Sequence, residues 1–405
     1  MSDNGRVRVL RVITRLNIGG PAIQAVRLST SLTPYGFETR LVHGRVGAEE
    51  GDMAYLITPG ADVRFLPALR RPIAPVQDAR AFIALFRTMC AFRPHIVHTH
   101  MAKAGLLGRL GALLFNVTHP RTRAVVIHTY HGHVLEGYFS RIATALFVGL
   151  ERMLARTSDV LIAVSTRVRD ELAGLYRISR LDRFRVVPLG LDLDPFAAIN
   201  GAARAQARCT LGIPATVPVV ATVGRLTAIK DHDLFLDVAL RVAAQFPDTV
   251  FLIVGDGERR AELEHAAEKR GLASVRFLGW RRDLTTIYGA SDVFLLTSKN
   301  EGTPVALIEA MASGVPGVAT DVGGVRDVVP DADHGIVCPV GDADALARGV
   351  TRLLADAGHR ERLAGAARRA ALARFQFDRL TQDIEALYRE LLARKASGDL
   401  HGARA

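Results

Sequence analysis

The chain has 405 residues, a length that suits two domains or three, with an ordinary globular composition and no apolar run long enough to span a bilayer. Its net charge is +11, and all of the excess lies before Pro195, which points to an anionic partner: a membrane surface, a nucleic acid or a phosphorylated substrate. No helix-turn-helix, zinc-finger or aromatic RNA-binding pattern is present, which sets nucleic acid aside.

The opening MSDNGRVRVLRVI carries no signal-peptide apolar stretch, and Cys90, Cys209 and Cys338 lack metal or disulfide spacing. A cytoplasmic location is therefore expected. In chain order, VRVLRVI, TRLVHG, IVHTH, AVVIHTY and DVLIAVS read as strands, with helices after Gly20, Ala79, Ala104 and Ser140. RVVPLGLDLDPF interrupts this pattern with proline and glycine. Alternation then restarts with VPVVATVG, TVFLIVG, VRFLG and DVFLLTS, each leading into a helix. Strand–helix alternation of this kind implies α/β architecture: two doubly wound, Rossmann-like domains, expected over residues 1–195 and 196–377. A last helix from about Asp378 to Arg394 is expected to pack back on the first domain.

Ligands of open parallel sheets bind beyond the carboxyl ends of the strands, and the chemically suggestive residues fall there. After the first strand, Gly19 and Gly20 permit either a tight turn or a close backbone approach to a ligand; the pattern is not GxGxxG. Gly224, Arg225 and Lys230 follow the first strand of the second half, a position suited to a diphosphate. VGDGE, from Val254, reads as a structural glycine turn. His98, His100, His128, His131 and His133 end two strands; HxH spacing can hold a metal, but histidines lining a polar cleft are the expectation. Asp192 and Asp194 in DLD imitate a metal-binding DxD, yet sit in the proline-flanked break and read as linker.

KNEGTPVALIEAMASG sets Glu301 on a loop and Glu309 in the helix that follows. Thr303 is the expected N-cap and Pro304 the first helical residue. The amides of Gly302, Thr303, Pro304's neighbours and Val305 would then face an anion or a hydroxyl oxygen. A solvated helix with an acidic first turn is the plainer alternative.

GGPAIQ, HTHMAKAGLLGRLGA, HTYHGHVLEGYF, VPLGLD, VGRLTAIKDHD and the run FLGWRRDLTTIYGASDVFLLTSKNEGTPVALIEAMASGVPGVATDVGG together resemble glycosyltransferase family 4, of the capsular and exopolysaccharide type. The most specific element is the E-x7-E pair in its GTP and EAMA context. One departure is Asp231 after Lys230, where many members have glycine. The resemblance implies the GT-B architecture, two Rossmann-like domains with a cleft between them and a C-terminal helix crossing back. It implies that Arg225 and Lys230 bind the donor diphosphate, that Glu309 holds the ribose hydroxyls, and that Glu301 lies near the transferred sugar. Gly224, Gly302, Thr303, Pro304 and Val305 would line the donor, His131 would stand near the donor sugar, and Gly19 and Gly20 would approach the diphosphate from the other domain.

The expected activity is retaining transfer from a UDP- or GDP-linked sugar to a saccharide or lipid-linked saccharide, with no metal and no cofactor. A nucleotide-sugar 2-epimerase or hydrolase, or a non-catalytic nucleotide-sugar-binding subunit, is the alternative. Lys103 and Arg109, on the apolar helix AKAGLLGRLGALLF, are candidates for the acceptor side and for peripheral contact with an anionic membrane.

Overall fold

The computed structural model describes residues 5–17, 19–47, 50–132 and 141–399. Two compact units emerge: Met1–Leu191 with Phe377–Ala405, and Asp192–Gln376. These breaks fall shortly before the Pro195 and Phe377 boundaries expected from sequence.

The first unit holds a seven-stranded sheet of β1 (Val7–Ile13), β2 (Phe37–His43), β3 (Asp62–Phe65), β4 (Ile96–His100), β5 (Val125–Tyr130), β6 (Val160–Ala163) and β7 (Phe184–Val186). All its strands are parallel, in the order β3-β2-β1-β4-β5-β6-β7. The second holds β8 (Val219–Val223), β9 (Val250–Val254), β10 (Val275–Phe277), β11 (Val293–Leu296), β12 (Gly317–Thr320) and β13 (Ile336–Cys338), also parallel, in the order β10-β9-β8-β11-β12-β13. Helices cover both faces, so central strands such as β4, β5 and β9 are buried at every residue; β9 reads as a continuous apolar run, while β4 and β5 carry buried histidines among apolar and β-branched residues. Winding reverses between β1 and β4 in the first sheet and between β8 and β11 in the second. The loops leaving those strands part there and open a crevice at the carboxyl ends.

Nine strands lie where the sequence pattern sets them. The other four are short or weakly patterned. DVRF of β3 is half exposed at a sheet edge, FRV of β7 and IVC of β13 have three residues each, and GVAT of β12 is built from small residues.

The final helix, Phe377–Ala396, belongs to the first unit. Leu380, Ile384, Leu387, Tyr388 and Leu391 recur at helical spacing and join Val9, Ile96, Val125 and Ile127 of the sheet in one core cluster. Gly190 of VPLGLD makes this seat possible, since a Cβ there would stand 2.4 Å from the Leu380 Cβ. Arg379 fixes the helix start by donating to the carbonyls of Pro188 and Leu189 at 2.9 and 2.7 Å. The helix is thus an internal wall of the first unit. Ile384 is fully buried, so Ile384→Ala should cost about 2–5 kcal/mol, read as a lowered urea midpoint by far-ultraviolet circular dichroism.

Candidate active site

In the second unit the chain leaves β8 through Gly224 and Arg225 into a short turn, Ala228–Lys230. The glycines of VGDGE support this loop. Gly255 takes φ 136, and a Cβ there would lie 1.8 Å from the Gly224 carbonyl oxygen. Across that close approach Gly224 N–H donates to Val254 O at 2.9 Å, Leu226 N–H to Asp256 O at 3.0 Å, and Arg259 N–H back to Leu226 O at 3.1 Å. Arg225 is left exposed, and its guanidinium has no partner among the described residues. Asp231 takes the left-handed conformation, φ 50 and ψ 53, at the position where many members carry glycine. Aspartate tolerates that region, and its carboxylate pairs with Lys299 at 3.1 Å.

The neighbouring loop leaves β11 and carries Glu301. Lys230 Nζ donates to Glu301 Oε1 at 2.5 Å, and Ser298 Oγ donates to the same oxygen at 2.6 Å. Glu301 is buried, while the Lys230 side chain stays about a quarter open. Thr297 Oγ1 donates to Lys230 O, and Thr320 Oγ1 to Ser298 O, tying the two loops to each other and to β12. TDVGG closes the loop from below: Gly324 N–H donates to Glu301 O at 3.2 Å, and a Cβ at Gly323 would lie 1.5 Å from that oxygen. Gly323, Ser298 and Thr320 carry no motif signal of their own, although TDVGG stands inside the resembling stretch.

The helix after the loop spans Val305–Ala312, with Pro304 rather than Thr303 as its N-cap. Proline has no side-chain acceptor for the first helical amides, and Thr303 Oγ1 is buried without a hydrogen-bond partner instead of capping. The amides of Gly302 and Thr303 donate to no group of the described residues. One turn into the helix, Glu309 Oε2 accepts from Tyr288 Oη at 2.9 Å. Tyr288 is fully buried and packs edge-on against Phe196. Burial pushes the Glu309 carboxyl up to about 7, against the lowering effect of the Tyr288 bond, although the side chain keeps a partly open edge. Tyr288 gives no motif signal; its position in IYGASD becomes meaningful only when Glu309 is seen beneath its hydroxyl.

In the first unit, Gly19 (φ 145) precedes the helix Gly20–Ser31 at the end of β1. His131 follows β5 and is partly open, with Nε2 3.0 Å from His100 Nδ1 and its own Nδ1 buried and unpartnered. The other histidines do not line a polar cleft as expected. His98 and His100 are fully buried and His128 nearly so. They are hydrogen-bonded inside the sheet: His98 to Thr129 and Tyr388 at 2.7 Å each, and His128 to Thr99 at 2.8 Å. Burial holds all three well below the ordinary histidine value, with Arg11 adding to the effect at His98 and His100 and Arg109 at His128. His133 lies outside the described residues. Among the described residues, no group of three or more His, Cys, Asp or Glu is arranged to hold a metal ion. Asp194 begins a one-turn helix beside the unit boundary and accepts from Gln376.

Lys103 and Arg109 do not present a lipid-facing or acceptor-facing edge. Arg109 is fully buried and grips both oxygens of Glu151 at 2.9 and 2.8 Å, with Tyr130 Oη donating to the same carboxylate at 2.7 Å. Lys103 is largely covered and pairs with Asp78 at 2.7 Å. The helix that bears them, Ala102–Thr118, lies too close to the sheet to turn outward: Gly105 and Gly108 would carry Cβ atoms 2.5 and 2.6 Å from His128 and Thr99.

Cations and free amides at the switch point of a Rossmann-like unit suit an anionic, phosphate-bearing ligand. Residues 18–195 match the family described as Glycosyltransferase Family 4, and residues 204–370 the one described as Glycosyl transferases group 1. The chain belongs to the family 4 glycosyltransferases and transfers a sugar from a nucleotide sugar. It is 30% identical, over 76% of its length and 79% of the relative's, to the UDP-Gal:alpha-D-GlcNAc-diphosphoundecaprenol alpha-1,3-galactosyltransferase of Escherichia coli. It is also 30% identical, over 94% and 93%, to the 2-deoxystreptamine N-acetyl-D-glucosaminyltransferase of Streptomyces fradiae. Its fold matches Anabaena HepE, solved in complex with UDP and glucose, with a TM-score of 0.79 at 21% identity over 95% of this chain and 100% of that one.

The Glu309 environment makes a stability prediction. Its folded value lies above the ordinary glutamate value of 4.5, so between about pH 4.5 and 7 the folded state holds more proton than the unfolded state. Stability therefore falls as pH rises through that window. Relative to Glu309→Gln, urea titrations should show an extra loss of up to about 3 kcal/mol, reduced by solvent screening at the open edge; parallel curves for the two proteins would contradict it.

Proposed function

We propose that the protein is a retaining, metal-independent hexosyl- or N-acetylhexosaminyltransferase, which moves the sugar of a UDP- or GDP-linked donor to a hydroxyl of a lipid-linked saccharide in surface-polysaccharide assembly. The observation that carries this reading is the set of groups at the ends of β8 and β11: Arg225 without an internal partner, Lys230 held by Glu301, and the unused amides of Gly302 and Thr303. Cleavage of the sugar–diphosphate bond leaves negative charge on the diphosphate. Fixed cations and oriented amides stabilise that charge most in the transition state.

Arg225 and Lys230 bind the diphosphate, with Gly224 allowing its approach. Glu301 keeps Lys230 in place and accepts from hydroxyls of the transferred sugar, beside Thr303, Pro304 and Val305. Glu309, oriented by Tyr288, takes the ribose hydroxyls. In the other unit, Gly19 and Gly20 serve the diphosphate and His131 the donor sugar. The acceptor hydroxyl forms the new bond at the anomeric carbon as the diphosphate leaves, and its proton passes to the departing phosphate. Neither metal nor cofactor takes part. The lipid-linked acceptor is supported by the name of the Escherichia coli relative, which acts on a diphosphoundecaprenol-linked sugar.

Calorimetry with UDP, GDP and ADP in EDTA tests the donor assignment. One nucleotide should bind, and Glu309→Ala should weaken it by about 1.5–3 kcal/mol, the worth of hydrogen bonds to a charged group. Absence of binding by all three would sink the assignment.

We further propose that the enzyme works in the cytoplasm, peripherally on the inner face of the cell membrane, through a surface other than Lys103 and Arg109. The helix Pro75–Phe92 exposes Val76, Arg80, Ile83, Arg87 and Ala91 along one face, next to a highly exposed Ile73. Apolar residues alternating with arginines complement an anionic lipid surface. No helix among the described residues is long and apolar enough to cross a membrane, so contact would be peripheral. The protein should float with anionic vesicles and not with neutral ones. The double variant Arg80→Glu, Arg87→Glu should lose flotation, and equal partitioning into both vesicle types would refute docking.

A further inference from the structure

Arg11, in the middle of β1, is fully buried, and no carboxylate of the described residues pairs with it. A buried guanidinium is normally paired with an acid, as Arg109 is with Glu151. Here its neighbours are neutral acceptors. One terminal nitrogen lies 3.2 Å from His100 Nε2 and 3.4 Å from His98 Nδ1, and the other donates to Tyr388 Oη at 3.0 Å. The strand register explains the meeting, since Arg11 stands opposite His98 and shares a strand face with Ile13, opposite His100.

Arginine can only donate, so the direction of every following bond is fixed. His100 Nε2 accepts from Arg11, which leaves its proton on Nδ1. That Nδ1–H donates to His131 Nε2 at 3.0 Å. With Nε2 occupied as an acceptor, His131 carries its own proton on Nδ1, the buried nitrogen that has no partner. The second branch obeys the same logic: Tyr388 accepts from Arg11 and donates to His98 Nδ1, and His98 Nε2–H donates to Thr129. Protonating either His100 or His131 would break the chain and set a second positive charge close to Arg11. Burial, and then Arg11, push His131 down to about 3, with His98, His100 and His128 nearby also driven neutral.

We infer that Arg11 is a positioning residue that acts through His100 to lock His131 as a neutral Nδ1–H hydrogen-bond donor, aimed at a hydroxyl or phosphoryl oxygen of the nucleotide sugar. The relay stands on geometry alone; its target rests on the assignment of His131 to the donor. In this role His131 is neither a general base, since its only lone pair is engaged by His100, nor a cationic acid.

The test is long-range proton–nitrogen NMR of the histidine rings, with kinetics alongside. In the unaltered protein His100 and His131 should both give the Nδ1–H pattern. In Arg11→Met, which keeps length and removes the donor, both should become tautomer mixtures, and kcat/KM for the donor should fall about tenfold, the worth of one hydrogen bond. His100→Phe breaks the relay without touching Arg11 and should have the same effect on His131, which keeps the test open if Arg11→Met does not fold. Tyr388→Phe leaves the His100 branch intact and should preserve the His131 pattern. An Nε2–H pattern at His131 in the unaltered protein, or an unchanged pattern in folded Arg11→Met, overturns the relay. A changed pattern with unchanged kcat/KM overturns the target oxygen, while the calorimetry with Glu309→Ala tests the transferase reading separately.

Discussion

The second unit is organised around the ion pair of Lys230 and Glu301. Neither group is tolerable alone at its depth: a buried carboxylate without a cation is costly, and a lysine at a strand end without an anion would swing into water. Pairing them settles both demands, but only if two loops from separate strands hold register to within a hydrogen-bond length. Ser298, Thr297 and Thr320 supply that register from side chains, and Gly323 and Gly324 supply it from backbone. The VGDGE loop performs the same service beneath Arg225. Lys230 is thus held in place within the unit, whereas the VGDGE loop fixes the backbone at Arg225 and leaves its guanidinium exposed.

Buried arginines in the first unit show two solutions to one problem. Arg109 is neutralised by a bidentate carboxylate, with Tyr130 completing the cluster. Arg11 has no such anion and spends its donors on imidazoles and a phenol. The first arrangement pins a helix to the sheet. The second leaves a positive charge inside the unit, which adds to burial in keeping His98, His100 and His131 neutral. Part of the basic excess of the N-terminal half is therefore interior. A charge count cannot separate such arginines from those facing solvent: Arg109 is fully buried, whereas Arg80 and Arg87 are exposed.

Periodicity made the architecture legible, because strands buried on both faces are written mostly in β-branched and apolar residues. The spacing of Glu301 and Glu309, with proline and glycine marking the helix ends, was readable for the same local reason. Partners were not readable. Lys230 and Glu301 are 71 positions apart, Arg11 and Tyr388 377 apart, and no local pattern encodes such meetings. Thr303 had every local mark of a cap, yet Pro304 occupies that place and the threonine hydroxyl is left over. Asp231 is the converse case. An apparent departure from the family pattern preserves the backbone conformation for which glycine is usually chosen.

Burial also decides which kind of catalysis the groups can perform. His131 is pushed down to about 3 and His232 to about 4, both first by desolvation, with Arg11 and Lys230 respectively as the next cause. Both imidazoles are neutral near pH 7, and the Nε2 of His131 is already engaged. Glu309 alone is raised toward neutrality, but its carboxylate is tied to Tyr288 along the helix rather than standing with Arg225 and Lys230. The groups at the ends of β8 and β11 are an arginine, and a lysine and glutamate that hold each other, so none stands as a free base. Such an inventory suits a reaction whose leaving group takes up the acceptor's proton and whose catalyst mainly steadies negative charge.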